Sequence, residues 1–276
     1  MRWRYVSALL TAFMTTSAAA QSIWWPTAGS VILGGGRLEE KIALALVDRV
    51  IALAGGPDAL IVIIPTASEG LPPRLPSQGP EPQRIRDLRH AFEQRGARQV
   101  VFLHTRDRRV ANSEAFVTVL RSARAVFFPG GASRVLDLTY HGTLVERELK
   151  ALLARGGVLA GDSAGAITLG CFWLSWDGKQ AAMARITEGL CALPGVTVSP
   201  HIQRIEGDEQ TADIASYLLA HPTTVGINLA ENTVLVLRDG TAEVIGSGSI
   251  AVFDPTRDKA KPYLRLSAGP PRSLTR

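Results

Sequence analysis

The sequence has only two cysteines among its 276 residues, Cys171 and Cys191. It also lacks any group of His, Cys and Asp residues with the spacing of a zinc site, so a metal is not expected. The interval between the two cysteines permits a disulfide bond but does not require one, because two buried free thiols fit the same spacing. The sequence therefore leaves both arrangements open.

Long apolar runs and clustered basic charge are missing as well. No segment beyond residue 20 reaches the roughly 18 consecutive apolar residues that a transmembrane helix needs. The formal net charge is +5, but the basic residues are scattered and form no stripe interleaved with aromatic side chains. We therefore expect neither a membrane span in this part of the chain nor a nucleic-acid partner.

The glycine-rich segment Gly34–Gly36 follows a short apolar strand, as a dinucleotide-binding loop would. The G-x-G-x-x-G spacing fails, however, because Glu39 stands where the third glycine belongs. No organic cofactor is implied by this loop.

The first 20 residues have the features of a secretory signal peptide. Arg2 and Arg4 precede a short apolar stretch at 6–14, and Ala18–Ala20 provides small residues for cleavage before Gln21. The predicted location is secreted or periplasmic, with no membrane attachment after cleavage.

Apolar strands alternate with amphipathic helices over most of the chain, and several strands are continuous apolar runs typical of burial on both faces. The predicted strands are 30–33, 59–65, 100–103, 125–128 and 158–160. This alternation predicts an α/β fold with a three-layer, doubly wound and mostly parallel sheet. Ligands bind beyond the carboxyl ends of such strands, where the loops 34–36, 129–133 and 161–165 are expected to meet.

The last third of the chain has a different pattern. Strands are expected at 224–228 and 233–237, followed by a closing hairpin of 242–245 and 249–253. Residues 255–276 are polar and contain prolines, which predicts a tail. We find no repeat or linker, so residues 30–254 are expected to form one domain.

The segment Gly161-Asp162-Ser163-Ala164-Gly165 is a G-x-S-x-G motif between an apolar strand and a helix-compatible run. This is the context of a nucleophile elbow, in which a sharp turn lifts a serine above the sheet and requires small neighbours. A glycine-rich structural turn is the alternative. The motif makes Ser163 the candidate nucleophile.

A serine hydroxyl needs a base to take its proton. Of the five histidines, His201 is favoured because it ends a strand in a Ser-Pro-His turn, where its ring can project over the carboxyl-end face. Glu231, between two apolar runs, is the candidate acid that orients the base, and Asp177 is the alternative. The order Ser, His, Glu argues against an α/β-hydrolase, whose order is Ser, Asp or Glu, then His.

An acyl-transfer site also needs donors for the oxyanion. The backbone N–H groups of Gly131, in the glycine pair after the fourth strand, and of Ala164, directly after the serine, are the candidates.

These segments together resemble the cyanophycinase and aspartyl dipeptidase group of serine peptidases over roughly residues 30–254. The resemblance rests on VILGGG, ALIVIIPTASE, VFFPGGAS, GDSAGA, EGLCALPGVTVSPH, GINLAENTVLVL and EVIGSGSIAVFD, in that order. It implies a flavodoxin-like fold related to class I glutamine amidotransferases, and cleavage of aspartyl or β-aspartyl bonds, with cyanophycin as one substrate. It also implies that Ser163, His201 and Glu231 match the family's nucleophile, base and acid, with Asp177 at the dipeptidase branch's position.

The chain departs from the family pattern next to the serine. Gly130-Gly131 is followed by Ala132-Ser133, where the family has Asn or Asp and then Gln, so Ser133 or Arg134 takes the place of a substrate-contacting residue. The expected function is a secreted serine peptidase that acts on a peptide or isopeptide without a cofactor. The alternatives are a non-catalytic exported binding protein and a serine ester hydrolase, and a homodimer is the candidate assembly.

Overall fold

The structure is a computed structural model, and it describes residues 25–75, 80–172, 189–203, 209–254 and 263–274, with only the backbone at 209–213. Its helices are α1 (Glu40–Ala54), α2 (Gln83–Glu93), α3 (Arg108–Ala111), α4 (Glu114–Ser122), α5 (Ser133–Tyr140), α6 (Leu144–Ala154), α7 (Ala164–Leu169) and α8 (Glu209–Ala220). Its strands are β1 (Ser30–Gly34), β2 (Leu60–Ile63), β3 (Gln99–Phe102), β4 (Ala125–Phe128), β5 (Val158–Asp162), β6 (Gly170–Phe172), β7 (Leu193–Ile202), β8 (Val225–Ala230), β9 (Thr233–Arg238), β10 (Thr241–Phe253) and β11 (Leu264–Ser273).

One mixed sheet runs through the molecule in the order β3-β2-β4-β5-β1-β9-β10-β8-β7-β6, with β11 paired to β10. The strands from β3 to β1 are all parallel, and β6, β7 and β8 are parallel to one another. The prediction of a three-layer, mostly parallel α/β sheet is therefore confirmed.

Helices cover both faces because successive side chains of each strand point to opposite sides. In β1, Ile32 packs with α1 and α2, while Val31 and Leu33 pack with the cluster that contains α4, α5, α6 and α7. Strands with apolar residues at every position are stable only when both faces are covered in this way.

The carboxyl ends of three strands lie side by side, as the sequence predicts. Gly34 pairs with Asp162, and Phe128 pairs with Gly161. The loops that follow β1, β4 and β5 are therefore neighbours at one edge of the sheet.

Strands β8 and β9 run in the same direction and are separated only by Glu231 and Asn232. β9 pairs with the first part of β10, and β8 pairs with its last part. On either side of residues 231–232, β1 pairs antiparallel with β9, and β7 pairs parallel with β8. The carboxyl ends of β1 and β7 therefore meet at residues 231–232, which brings distant parts of the sequence together.

Two predictions about the last third are wrong. The expected hairpin of 242–245 and 249–253 is the single strand β10, because irregular pairing near Gly246 and Gly248 bends the strand without reversing it. The expected tail at 255–276 contains β11, which pairs with β10 along the edge of the sheet. Its side chains are mostly exposed, which explains a polar sequence in a strand.

Cys171 and Cys191 form a disulfide bond, which joins β6 to the residues that precede β7. The predicted signal peptide at 1–20 and the alternative acid Asp177 lie outside the described residues. Within the described part of the chain, none of the helices has both the length and the apolar character needed to span a membrane.

Candidate active site

Ser163 occupies the turn between β5 and α7 with a strained backbone, at φ 53° and ψ −117°. A positive φ is uncommon for a residue with a side chain, and such strain persists only where the surrounding structure enforces it. Here Gly165 approaches the carbonyl of Phe128 so closely that a Cβ at residue 165 would overlap it. The small residues of the motif thus allow α7 to pack against β4 and hold the turn.

A hydrogen-bonded chain links the three predicted side chains. The Ser163 Oγ lies 2.7 Å from His201 Nε2, and His201 Nδ1 lies 3.2 Å from Glu231 Oε1. Because a carboxylate only accepts, the His201 proton belongs on Nδ1 when the ring is neutral, which leaves Nε2 to accept from the serine. The arrangement provides a base beside the hydroxyl and an acceptor that fixes its tautomer.

Arg37 contacts the outer side of Glu231. Its Nε lies 3.3 Å from Oε1, and its Nη1 donates to Oε2 over 3.4 Å. The Arg37 side chain is 72% exposed and that of Glu231 is 23% exposed. The ion pair therefore restrains the carboxylate in a partly hydrated setting, where its contribution to stability is small.

The loop Gly34–Gly36 holds all three parts of the site through its backbone. The Ser163 N–H donates to the Gly34 carbonyl over 3.1 Å, and the His201 N–H donates to the Gly35 carbonyl over 2.9 Å. The Asn232 N–H, next to Glu231, donates to the Gly36 carbonyl over 3.0 Å. The sequence places this loop at the ligand-binding edge of the sheet without a role of its own, and the structure makes it the common support of the site.

Left-handed backbone is concentrated around this loop. Four residues that carry side chains have positive φ here, namely Arg37 at 46°, Ser163 at 53°, His201 at 63° and Asn232 at 55°. Asn232 is suited to this conformation, because its side chain accepts from the Glu39 N–H and donates to Ser247. Strain of this kind clusters at functional sites in proteins.

Asp162 lies in the elbow next to Ser163, at a position to which the G-x-S-x-G motif assigns no role. Its Oδ1 accepts from the Gly36 N–H over 3.0 Å, which ties β5 to the glycine loop. Burial raises the pKa of the Asp162 carboxyl, against the opposing effects of the Gly36 N–H, His201 and Arg84. Asp162 thus joins the support of the site, and no hydrogen bond links its carboxyl to the Ser163 hydroxyl.

The second glycine loop, residues 129–133, lies beside the serine. A Cβ built on Gly130 would stand 3.2 Å from Ser163 Cβ, and Gly131 lies against the Ala67 carbonyl. That carbonyl also accepts from the Ala132 N–H over 2.9 Å. The loop after β2 therefore fixes the position of Gly131, while Ser133 is the first residue of α5.

A buried polar network supports the loop after β2. The Thr66 hydroxyl lies 2.9 Å from His104 Nδ1 and 2.6 Å from the Tyr140 hydroxyl. His104 Nε2 donates to the Pro72 carbonyl over 2.7 Å, so Nδ1 accepts from Thr66 in the neutral ring. Burial lowers the pKa of His104 and raises that of Tyr140 to about 12, so both groups are kept neutral.

The structure thus brings together Ser163, His201 and Glu231 and places Gly131 and Ala164 beside the serine. Ala164 is the first residue of α7, so its N–H has no partner within the helix. Sequence reasoning missed Arg37 and the role of Asp162. The sequence signal for both was the segment Gly34–Arg37, because it contains Arg37 itself and Gly36, whose N–H donates to Asp162.

No cluster of three or more His, Cys, Asp or Glu residues that could hold a metal ion is found in the described part of the chain. The chemistry that the site offers is a hydroxyl activated by an imidazole, which is nucleophilic catalysis.

Comparison with known proteins identifies relatives of this chain. The model of peptidase family S51 matches residues 30–245. A cyanophycinase from Synechococcus elongatus is 29% identical over 89% of this chain and 74% of its own length. Another, from a Nostoc species, is 30% identical over 83% of this chain and 75% of its own length.

A solved structure agrees with these sequence matches. The crystal structure of a peptidase from an acI-B1 Actinobacterium has a TM-score of 0.67 and 25% identity, and the match covers 89% of this chain and 97% of that chain. Fold, family match and relatives coincide over the region that contains the site. The chain therefore belongs to peptidase family S51 and is a serine-type peptidase.

Proposed function

We propose that this peptidase hydrolyses aspartyl or β-aspartyl (isopeptide) bonds through an acyl-enzyme on Ser163. The observation that carries the proposal is the continuous chain from the Ser163 hydroxyl through His201 to Glu231, at 2.7 Å and 3.2 Å. The cyanophycinases among the relatives support the choice of bond.

In the first half of the reaction, Ser163 Oγ attacks the carbonyl carbon of the scissile bond and its proton passes to His201 Nε2. The tetrahedral intermediate collapses, the C–N bond breaks, and the leaving amine takes that proton from His201. In the second half, water attacks the ester, His201 takes and returns one proton, and the carboxylic acid product leaves. Glu231 stabilises the imidazolium in both halves, and Arg37 holds the Glu231 carboxylate in place.

The oxyanion of each intermediate needs fixed donors. We assign this role to the backbone N–H groups of Gly131 and Ala164. The support is their placement on either side of the serine, with Gly131 held by the Ala67 carbonyl. Fixed backbone donors are effective because they need no reorganisation during the reaction. Ser133, two residues after Gly131 and the first residue of α5, is the proposed substrate contact.

The polymer cyanophycin, cleaved to β-Asp-Arg dipeptides, is one candidate substrate. The decisive experiment incubates the purified protein with cyanophycin and with a panel of α- and β-aspartyl dipeptides, and identifies the products by mass. Release of free aspartate or of β-aspartyl dipeptides is expected. Cleavage restricted to bonds that involve no aspartyl residue would overturn the proposed specificity.

We also propose that the protein is exported, to the periplasm or the exterior. The N-terminal pattern of Arg2, Arg4 and Ala18–Ala20 supports this. So does the disulfide between Cys171 and Cys191, because disulfides persist mainly in oxidising compartments. Expression of the full chain in a bacterial host should give a protein that begins near Gln21 outside the cytoplasm. An intact N-terminus in the cytoplasmic fraction would contradict export.

A further inference from the structure

A cavity of about 340 Å³ opens beside the proposed catalytic residues, and we call it the α1–α2 pocket. Three of its lining residues are immediate neighbours of the site. Arg37 contacts Glu231, Gly130 lies against Ser163, and Asp162 precedes that serine in the elbow. When a peptide is bound at the serine, a substrate residue next to the scissile bond can therefore reach this pocket.

The interior of the pocket is apolar. Its walls come from the residues after β1, from α1 and α2, and from the end of β4. They include Leu38, Leu88, Phe92, Phe127 and Pro129. The volume is sufficient for one large amino-acid side chain, and burial of such a side chain away from water favours binding.

Charge at the rim of the pocket is mainly positive. Arg37 and Arg84 both line it, and Asp162 is the acidic residue among its lining side chains. No hydrogen bond or salt bridge joins Arg84 to another described residue, although its charge acts on the Asp162 carboxyl, which accepts from the Gly36 N–H. A guanidinium that makes no salt bridge and lies beside an apolar cavity attracts a carboxylate and repels a cationic side chain.

We propose that the α1–α2 pocket is a substrate subsite for a residue that joins a large apolar side chain to a free carboxylate. The apolar side chain fills the cavity, and the carboxylate pairs with Arg84. The favoured substrates are therefore aspartyl peptides that end in a residue such as leucine or phenylalanine, in preference to those that end in arginine. This inference rests on the proposed function for the position of the scissile bond.

The first test compares kcat/KM for β-Asp-Leu, β-Asp-Leu amide and β-Asp-Arg. We expect β-Asp-Leu to exceed both of the others by roughly tenfold or more. Arg84→Gln should remove the preference for the acid over the amide. Ala91→Trp, which fills the pocket, should lower the rates for β-Asp-Leu and its amide and leave the rate for β-Asp-Arg unchanged. Arg86→Gln, on the exposed side of the same helix, is the matched control and should leave all rates unchanged. Equal or faster cleavage of β-Asp-Arg would overturn the subsite and leave the proposed function intact.

A binding measurement separates the subsite from the reaction. N-acetyl-L-leucine and N-acetyl-L-arginine are titrated by calorimetry into the Ser163→Ala variant, with and without Arg84→Gln. Selective binding of N-acetyl-L-leucine, weakened about tenfold or more by Arg84→Gln, is expected whether or not aspartyl peptides are cleaved. Failure of N-acetyl-L-leucine to bind, or tighter binding of N-acetyl-L-arginine, would contradict the proposal. Selective binding without any cleavage of aspartyl peptides would refute the proposed function alone.

Discussion

Gly36 lies directly against the imidazole ring of His201, so closely that a Cβ at residue 36 would overlap three ring atoms. Its φ of +82° is also unfavourable for a residue with a side chain. The glycine is therefore needed for two reasons, backbone conformation and the space taken by the proposed base.

The Gly36→Ala variant is expected to displace the His201 ring from Ser163. Because a shift of about 1 Å in a catalytic group can cost about 100-fold in rate, kcat should fall by at least that factor. Gly156→Ala is the matched control, since Gly156 has a φ of +85° and no atom within 4 Å of a built Cβ. Both variants should lose roughly 1–2 kcal/mol of stability, but only the first should lose activity. Equal kcat values in the two variants would show that the close contact does not matter.

Glu231→Gln tests whether the carboxylate fixes the tautomer of His201. A glutamine can donate to Nδ1 and so favour the tautomer with the proton on Nε2, which cannot accept from Ser163. We expect kcat to fall by roughly 10³–10⁴ while KM changes little. Glu243→Gln, which alters another partly buried carboxylate paired with an arginine, should keep full activity. A Glu231→Gln enzyme with near-normal kcat would point to a different acid.

The buried His104 predicts a pH dependence of stability. Burial lowers the pKa of this ring below its ordinary value of 6.5, so the unfolded chain binds the proton more readily than the folded one. The stabilisation is therefore complete above about pH 6.5 and is lost as the pH falls toward the folded pKa. Denaturant unfolding should show a steeper acid-side loss of the free energy of unfolding for the wild type than for His104→Gln. The exposed His90→Gln variant should keep the wild-type slope, and identical slopes for all three proteins would rule out this role.

The disulfide between Cys171 and Cys191 should stabilise the folded protein. Closing a loop of this size contributes about 3 kcal/mol, mainly by restricting the unfolded chain. The doubly substituted Cys171→Ser, Cys191→Ser protein should therefore unfold at lower denaturant concentration, and reductant should shift the wild type toward it. A wild-type midpoint that does not respond to a strong reductant under denaturing conditions would argue against the bond.

The sequence was informative where one short segment determines the structure. The apolar runs of β2, β4 and β5 are recognisable because strands buried on both faces need apolar residues throughout. The elbow around Ser163 is recognisable because its turn requires small neighbours. The pairing of His201 with Glu231 could be predicted from the order of the residues in the chain and from the resemblance to a known peptidase group.

The remainder depends on contacts between distant segments. Gly34–Gly36 supports the site because the carboxyl ends of β1 and β7 come together at residues 231–232, between β8 and β9. This arrangement depends on pairing between distant strands, which no local sequence pattern encodes. β11 was missed because an exposed edge strand carries polar side chains. The ion pair of Arg37 with Glu231 spans a large separation in sequence and leaves no periodic signal.

The rate of peptide hydrolysis by Ser163→Ala, measured beside the wild type on the best-cleaved aspartyl peptide, tests the central claim most directly. We expect the variant to fold because the side chain loses only its hydroxyl. Circular dichroism and the unfolding midpoint check this. An acyl-enzyme mechanism predicts a loss of at least about 10³-fold in kcat, with peptide binding retained. Hydrolysis by the folded variant at the wild-type rate would contradict the assignment of Ser163 as the nucleophile.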